Sequence, residues 1–285
     1  MDLDIFEDLL IVAIFRDGEL IIPYGNIELQ EDDILNIIGS LEAINKFSER
    51  FHFINQRNKI KKVMILGGGN IAFYLVQKLR YNHIDVRIIE QDLERSTYLS
   101  EKLSDVLIIQ GDGTDINLLE EEGLGSMDAF IGATGFDEQN LLMALIAKHA
   151  GVKMTIAKVS RPSYLKIIDS LGVDVFLNPI NIAVSNILKF IRGGKVVSVS
   201  LLLGGEAEVI EMIALKDSRI VGKPLYQLGL PKGIIIGAIV HEGKVSIPNG
   251  NTVIYPNDRL IIFCLASDIP KLEAFTNPEK GGLFR

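Results

Sequence analysis

The sequence predicts an α/β protein in which a parallel sheet with helices on both faces is flanked by small α+β domains, mainly β, on either side. Two observations predict the sheet. Short Ile- and Val-rich runs alternate with helical patterns from Lys62 to about Pro179, and a glycine-rich turn follows the first run. A third predicts the small domains, because after Pro179 the pattern changes to short strands separated by Gly and Pro turns.

Six strands and five crossover helices are expected in the central region. Each predicted strand is a short apolar run of the kind buried on both faces of a parallel sheet. The strands are placed at Val63–Leu66, Asp85–Glu90, Val106–Gln110, Ala129–Ala133, Lys153–Val159 and Val173–Leu177. The helices are placed at Asn70–Tyr81, Leu93–Leu103, Asp115–Glu122, Glu138–His149 and Pro162–Leu171.

The composition is that of a globular chain. Of the 285 residues, 48% are hydrophobic, and a net charge of −8 disfavours a nucleic-acid partner. The longest apolar runs, Leu9–Phe15 and Ile234–Val240, are too short to cross a bilayer, and the first residues are acidic where an export signal is basic. We therefore expect a cytoplasmic protein. The one cysteine, Cys264, lies in an apolar run, which favours a buried strand residue over a nucleophile or metal ligand.

An internal repeat links the two ends of the chain. At an offset of 225 residues, Ile11–Asp33 aligns without a gap with Ile236–Asp258, and nine of the 23 positions are identical. Any two hairpins share Gly and Pro, but the ungapped register favours a duplication. The first copy lacks the two strands predicted between Lys195 and Ala214. We therefore expect this chain to be the C-terminal part of a longer protein.

The repeat sets the expected domain organisation. One helix, Ile180–Ile191, connects the central region to the second copy, whose last helix is placed at Asp268–Phe275. The predicted parts are an incomplete first small domain at 1–50, a linker at 51–60, a nucleotide-binding domain at 61–179, a connecting helix at 180–194, a second small domain at 195–277 and a tail at 278–285.

The glycine-rich turn predicts a dinucleotide site of Rossmann type. Gly67 permits a tight turn, Gly69 lets the backbone approach a pyrophosphate, and N–H groups at the start of the next helix face the phosphates. Glu90 ends the second strand, where a carboxylate accepts hydrogen bonds from ribose hydroxyls and repels a 2′-phosphate, which favours NAD over NADP. A solvated strand end is the alternative for Glu90. The residues expected here are Gly67, Gly68, Gly69, Asn70, Ile71 and Glu90.

The ends of the third, fourth and fifth strands supply further candidates. Asp112, Gly113 and Thr114 follow the third strand, and Ala133 and Thr134 follow the fourth. The small residues allow a ligand to approach closely, and Asp112 is a candidate partner for an adenine amino group. Thr114 is equally well explained as the N-cap of the next helix.

Two further polar features have competing explanations. The segment Asp137–Asn140 either meets the second half of the ligand or caps the helix that follows. Lys158 ends the fifth strand among apolar neighbours. A phosphate partner explains it, and so does an exposed position at the sheet edge.

An NAD-dependent oxidoreductase is the alternative function, and it needs a proton donor beside the nicotinamide. Tyr74 and Lys78 have the spacing of a reductase pair, but they follow the glycine turn directly instead of lying far downstream. No spacing suggests zinc or a phosphoryl-transfer loop. The four histidines lie on the predicted linker, at two helix ends and on a hairpin; they are His52, His83, His149 and His241. We therefore favour a nucleotide sensor without catalytic residues.

These motifs together resemble the Trk-type potassium-uptake regulators, cytosolic proteins built of RCK units (regulators of potassium conductance). The resemblance covers nearly the whole chain. It rests on Gly67–Ala72, Ile89–Glu90, Gly111–Thr114, Ala133–Thr134, Asp137–Asn140, Leu171–Asp174, Gly237–Ile239 and Ile247–Gly250. It identifies the small domains as the RCK C-terminal type and the chain as the second unit of a tandem pair.

The resemblance also implies a function. A regulator of this family assembles as a homo-oligomer, a dimer or a tetrameric ring, at the inner face of the membrane under a membrane-embedded potassium transporter. NAD(H), or ATP and ADP as the alternative, changes the shape of the ring. Ala72 stands where many relatives have glycine, and Lys158 where ATP-responsive relatives often have arginine.

Overall fold

The computed structural model describes residues 8–16, 19–23, 27–51, 60–161, 164, 171–192, 195–202 and 205–277. The chain separates into two compact units, one formed by Met1–Gln56 with Asn181–Arg285 and the other by Arg57–Ile180. Most of the predicted linker at 51–60, and all of the predicted tail at 278–285, lie outside the described residues.

The N-terminal segment forms a three-stranded antiparallel sheet. Its strands are β1 (Leu9–Arg16), β2 (Glu19–Ile21) and β3 (Ile34–Gly39), in the order β2-β1-β3. The helix α1 (Leu41–Arg50) follows, and the side chain of Ser40 caps it by accepting a hydrogen bond from its first turn.

The second unit contains the predicted parallel sheet. Its strands are β4 (Lys62–Leu66), β5 (Asp85–Glu90), β6 (Leu107–Gln110), β7 (Ala129–Gly132), β8 (Met154–Lys158) and β9 (Val175–Leu177). They lie in the order β6-β5-β4-β7-β8-β9, and every pair is parallel. The order reverses beside β4, which opens a crevice at the carboxyl ends of β4 and β7. The predicted fold class is confirmed.

Helices cover both faces of this sheet. They are α2 (Asn70–Tyr81), α3 (Leu93–Lys102), α4 (Ile116–Glu121) and α5 (Asp137–His149). Successive residues of β4 alternate between faces, so Met64 and Leu66 join one buried cluster while Val63 and Ile65 join another. The predicted helix Pro162–Leu171 lies almost entirely outside the described residues.

The C-terminal segment begins with the connecting helix and continues as a five-stranded antiparallel sheet. Its elements are α6 (Pro179–Ile191), β10 (Val196–Leu202), β11 (Ala207–Ile213), α7 (Leu225–Leu228), β12 (Ile234–His241), β13 (Lys244–Ser246), β14 (Arg259–Leu265) and α8 (Ile269–Thr276). The strand order is β10-β11-β14-β12-β13. β10 and β11 are the two strands predicted between Lys195 and Ala214.

The sequence repeat is also a structural repeat. β12 and β13 have the lengths of β1 and β2 and lie 225 residues after them, and β14 pairs with β12 as β3 pairs with β1. The irregularity in register also recurs, between Ile11 and Ala13 in the first copy and between Ile236 and Ala238 in the second. Because a β-bulge is a specific local feature, its recurrence supports duplication over a chance similarity of hairpins.

The two copies pack against each other within one unit. Val12 and Ala13 of the first copy share a buried apolar cluster with Ala207 and Phe263 of the second. A Cβ atom at Gly237 would overlap the Cδ1 atom of Ile38, so glycine at this position allows the sheets to approach. The predicted small domains, distant in sequence, therefore share a buried apolar cluster.

Candidate functional site

A cleft of about 250 Å³ lies at the carboxyl ends of β4, β5, β6 and β7. Eight of the twelve predicted site residues line it: Gly67, Gly69, Glu90, Asp112, Gly113, Thr114, Ala133 and Thr134. The other four, Gly68, Asn70, Ile71 and Lys158, are not among its lining residues. The cleft occupies the topological switch point where open α/β sheets bind ligands.

The glycine turn shapes one wall of the cleft. Gly67 has a φ of 95°, a backbone conformation that favours glycine, and a Cβ atom there would lie 3.0 Å from the backbone of Thr134. Gly69 differs, because a Cβ atom at this position would meet nothing within 4 Å. The protein fills no space beside Gly69, which suits a position where a ligand approaches the backbone.

The N-terminus of α2 opens onto this turn. Gly69 is its N-cap residue, and no side chain in the described part of the chain caps the helix. The N–H groups of the first helical turn have no partner within the helix itself, and the helix dipole adds positive potential there. This end of α2 is therefore suited to a pyrophosphate.

Glu90 is held rigidly beside the turn. Its Oε2 accepts a hydrogen bond of 2.6 Å from the Gly68 N–H, and its Oε1 accepts one of 2.8 Å from the Asp92 N–H. A carboxylate has about four lone-pair sites, so two such bonds leave acceptor capacity on both oxygens. Two backbone donors therefore fix the carboxylate, and Glu90 remains partly exposed at the end of its strand.

Arg95 contacts the glycine turn without lining the cleft, and the sequence did not reveal this contact. It lies in the first turn of α3, and its Nε donates a 2.7 Å hydrogen bond to the Gly68 carbonyl, while its guanidinium lies 5.1 Å from the centre of the Tyr98 ring. Both backbone polar groups of Gly68 are thus bound by side chains, the N–H by Glu90 and the carbonyl by Arg95. Proximity in sequence to Glu90 was the only available signal for Arg95.

The turn after β6 is built by Asp112. Its Oδ1 accepts bonds from the Thr114 N–H at 2.9 Å and the Thr114 hydroxyl at 2.8 Å, and these bonds lower the pKa of Asp112. Asp115, whose side chain accepts a bond from the Asn117 N–H, is the N-cap of α4. The alternative that Thr114 caps this helix is therefore wrong.

Asn140 organises the turn after β7. It is fully buried, and its Oδ1 accepts bonds from the Thr134 N–H at 2.9 Å and the Thr134 hydroxyl at 2.8 Å. Its Nδ2 donates a 2.9 Å bond to the Lys158 carbonyl. One amide thus joins the ends of β7 and β8.

Asp137 and Lys158 both occupy positions that the surrounding backbone defines, Asp137 at the start of α5 and Lys158 at the end of β8. The Asp137 carboxylate is buried and accepts bonds from the Ser160 and Arg161 N–H groups at 2.9 and 2.8 Å, which ties the start of α5 to the chain after β8. Lys158 is half-buried in a strand that pairs on both sides, with β7 and with β9. The explanation of Lys158 as an exposed sheet-edge residue is therefore wrong.

The described residues outside the cleft include neither a reactive thiol nor a metal-binding group of side chains. Cys264 is buried, and burial raises the pKa of its thiol to about 12, so it is a poor nucleophile. Within the described ranges, no three His, Cys, Asp or Glu side chains are grouped as a metal ion requires. None of the described helices has both the length and the apolar character needed to cross a membrane.

The parallel sheet, its switch point, the glycine turn and the acidic strand end define a Rossmann-type α/β unit joined to small β domains. The TrkA-N domain profile matches residues 63–179, and the TrkA-C domain profile matches residues 1–52 and 209–277. The chain belongs to the family of proteins built from TrkA-N and TrkA-C domains.

Curated relatives agree with this assignment. The chain is 34% identical over 273 residues to the Trk system potassium uptake protein TrkA homolog 2 of Methanosarcina mazei, and 36% identical over 272 residues to the Trk system potassium uptake protein TrkA homolog of Archaeoglobus fulgidus. Each alignment covers 95% of this chain, but only 60% and 61% of the relatives. The chain therefore spans about three fifths of their length.

A solved structure, "GsuK channel bound to NAD", aligns with 90% of this chain and 51% of its own, with 17% identity and a TM-score of 0.48.

Proposed function

We propose that this chain is the nucleotide-sensing part of the regulatory subunit of a Trk-type potassium uptake system, and that it binds NAD(H) across the strand ends of its Rossmann-type unit. The observation that carries the proposal is the pairing of Glu90 with the glycine turn. The Gly68 N–H orients a carboxylate that lines the cleft and retains acceptor capacity. That arrangement suits the two hydroxyls of a ribose.

The charges of the cleft support NAD(H) over NADP(H). Glu90 and Asp112 both line it, and the hydrogen bonds from Thr114 hold the pKa of Asp112 below its usual range. A 2′-phosphate beside Glu90 would meet like charge, whereas a pyrophosphate at the start of α2 would meet N–H groups. ATP and ADP remain the alternative ligands, since they share the adenosine and the phosphates.

The polar groups of the cleft support a sensor over an oxidoreductase. They are backbone N–H groups, the carboxylates of Glu90 and Asp112, the hydroxyls of Thr114 and Thr134, and two glutamine amides. Such groups bind and orient a nucleotide. Nucleotide binding then regulates by shifting an equilibrium between assembly shapes, and its effect is limited by the difference in affinity for those shapes.

The partners we propose are a membrane-embedded potassium transporter and further copies of this chain, in a dimer or tetrameric ring on the cytoplasmic side of the membrane. The relatives' names support the transporter. The helix α6 supports self-association, because none of its residues is buried and most of its apolar side chains, Phe190 and Ile191 among them, are exposed.

Titration calorimetry with NAD, NADH, ATP and ADP, with particle mass measured in parallel, tests the proposal. We expect saturable binding of NAD or NADH and a change in mass or shape on binding. Absence of binding by all four nucleotides at millimolar concentration would contradict the proposed function. Steady hydride transfer to or from a small metabolite would instead favour an oxidoreductase.

Substitution of Glu90 tests the site itself. Glu90→Ala removes both the ribose acceptor and the Gly68 restraint, and we expect NAD binding to weaken by about 1.5–3 kcal/mol, roughly tenfold or more in Kd. Glu90→Gln retains one oxygen for the Gly68 N–H but loses the charge, so it should weaken NAD binding less and reduce the preference for NAD over NADP. Calorimetry measures both effects.

Glu101→Ala is the matched control, because Glu101 is an exposed carboxylate on α3 that does not line the cleft. The control should bind like the unmodified chain. Equal affinity of Glu90→Ala and Glu101→Ala for NAD would show that the assigned pose is incorrect.

A further inference from the structure

A second cavity of about 330 Å³ lies within the C-terminal segment, between the end of α6, the strands β10 and β11, and the helix α8. Its floor is apolar. Val196, Ile210, Met212 and Leu272 line it, and each is buried. We name it the small-domain cavity. It shares no lining residue with the cleft at the carboxyl ends of β4, β5, β6 and β7.

Two cationic side chains, Arg192 and Lys195, line this cavity, and Arg192 already has an anionic partner. The Arg192 guanidinium forms an ion pair with Glu208, and only 13% and 8% of these side chains are exposed. A second carboxylate is also near, since the Glu273 Oε1 atom lies 4.0 Å from the Arg192 Nε atom. Because Glu208 already compensates the charge of this guanidinium, Arg192 is a structural residue here.

Lys195 is the second cation, and its surroundings differ. Its ammonium donates to the Asn277 side-chain oxygen, a neutral partner, and among the described residues it forms no ion pair. Burial lowers the pKa of Lys195, and the attraction of Glu273 offsets this only in part. Lys195 is a partly buried ammonium beside an apolar surface, and its hydrogen-bond partner is neutral, so the anionic group of a ligand can pair with it.

We propose that the small-domain cavity binds a small organic monoanion, a carboxylic acid whose head pairs with Lys195 and whose short apolar or aromatic body packs on Met212 and Leu272. The cavity volume is at the lower end of the range for small-molecule sites. A monoanion is favoured over a phosphate ester because Glu273 lines the same cavity and would repel a dianion.

Benzoate is a suitable probe, with benzyl alcohol as the neutral analogue and phenyl phosphate as the dianion. The methionine methyl groups report on the site, since Met212 lies in the floor and, of the six methionines, only Met1 and Met212 belong to this unit. We expect benzoate to shift the Met212 methyl resonance saturably, and both analogues to bind roughly tenfold more weakly or worse.

Lys195→Met tests the role of the ammonium, with Lys216→Met, at an exposed lysine of the same unit, as the matched control. The first should weaken benzoate binding roughly tenfold or more, and the second should leave it unchanged. Unchanged affinity in Lys195→Met, or tighter binding of phenyl phosphate than of benzoate, would overturn the proposal. If Lys195→Met does not fold, the Met212 methyl resonance of the unmodified chain tests the proposal by itself. A resonance that does not shift with millimolar benzoate refutes the site. Neither result bears on NAD binding.

Discussion

Arg16 and His241 occupy equivalent positions in the two copies of the repeat, and each contacts an equivalent aspartate. Arg16 donates two hydrogen bonds of 2.7 Å to Asp33, which together with the Gln30 N–H lower the pKa of Asp33 to about 2. In the second copy, His241 Nδ1 lies 2.5 Å from Asp258 Oδ1. The duplication has thus retained an ion pair in which one copy carries a permanent charge and the other a titrating one.

The charges around His241 fix the direction of its titration. Asp258 is nearly fully buried and contacts the His241 ring directly. The carboxylate of Glu242 also attracts the protonated ring, and the centres of the Tyr255 and His241 rings are 5.2 Å apart. The hydrogen bond to Asp258 raises the pKa of His241. A folded-state pKa above the unfolded value means that the pair stabilises the fold fully below about pH 6.5, and that this stabilisation is lost as pH rises through the raised pKa.

We therefore expect His241→Arg to remove a pH dependence of stability. Between about pH 6 and about pH 8, the melting temperature of the unmodified chain should fall relative to that of His241→Arg, which carries its charge throughout. His149→Arg, at an exposed histidine in the other unit, is the control and should keep the original profile. Parallel melting curves for the unmodified chain and His241→Arg would show that the pair does not titrate in this range.

At the scale of elements, the helix α5 holds two strand ends in place through one side chain. Asn140→Ala would leave the Thr134 N–H and the Lys158 carbonyl without their partner in the interior. We expect a loss of about 1–3 kcal/mol in the free energy of unfolding, because buried polar groups would remain unsatisfied. Nucleotide affinity should fall as well, since Thr134 lines the cleft. Denaturant unfolding and calorimetry measure the two effects.

Asn117→Ala is the matched control for this change, because Asn117 is an exposed asparagine on α4 of the same unit. It should alter the free energy of unfolding by less than about 0.5 kcal/mol. An Asn140→Ala chain as stable as this control would mean that water replaces the lost amide.

These elements also show how far sequence reasoning extends. Strands and helices of the parallel sheet were predictable because apolar runs, glycines and their spacing are local signals. The glycine turn, Glu90 and the residues that follow the third and fourth strands together identified eight lining residues of the cleft. Contacts between elements were not predictable from the sequence. Arg95 reaches Gly68 across 27 positions, and Asn140 joins two strand ends, yet neither contact leaves a periodic pattern. The sequence also did not show which of two adjacent residues, Thr114 or Asp115, is the N-cap of α4, because both residue types are common at that position.

At the scale of the whole molecule, the repeat was visible in the sequence but its consequence was not. The fit between sheet faces about 200 positions apart is set by side-chain volume on both surfaces, and a single sequence does not show which side chains face each other. Gly237 illustrates this. Its equivalent in the first copy is Val12, a buried residue, so the two copies differ at this position by one side chain. Ile38 fills the space opposite Gly237.

This complementarity leads to a compensating pair of substitutions. Gly237→Val alone should overpack the interface between the two sheets and lower the free energy of unfolding by about 1–3 kcal/mol, because its Cβ atom would overlap Ile38. Adding Ile38→Ala should recover part of that loss by supplying the volume, although Ile38→Ala alone destabilises by leaving a void. Denaturant unfolding of all four chains in a double-mutant cycle measures the coupling. Additive effects would mean that Gly237 and Ile38 do not contact each other in the folded protein, whereas a favourable coupling would show that the fit between the duplicated sheets depends on a side chain that one copy has and the other lacks.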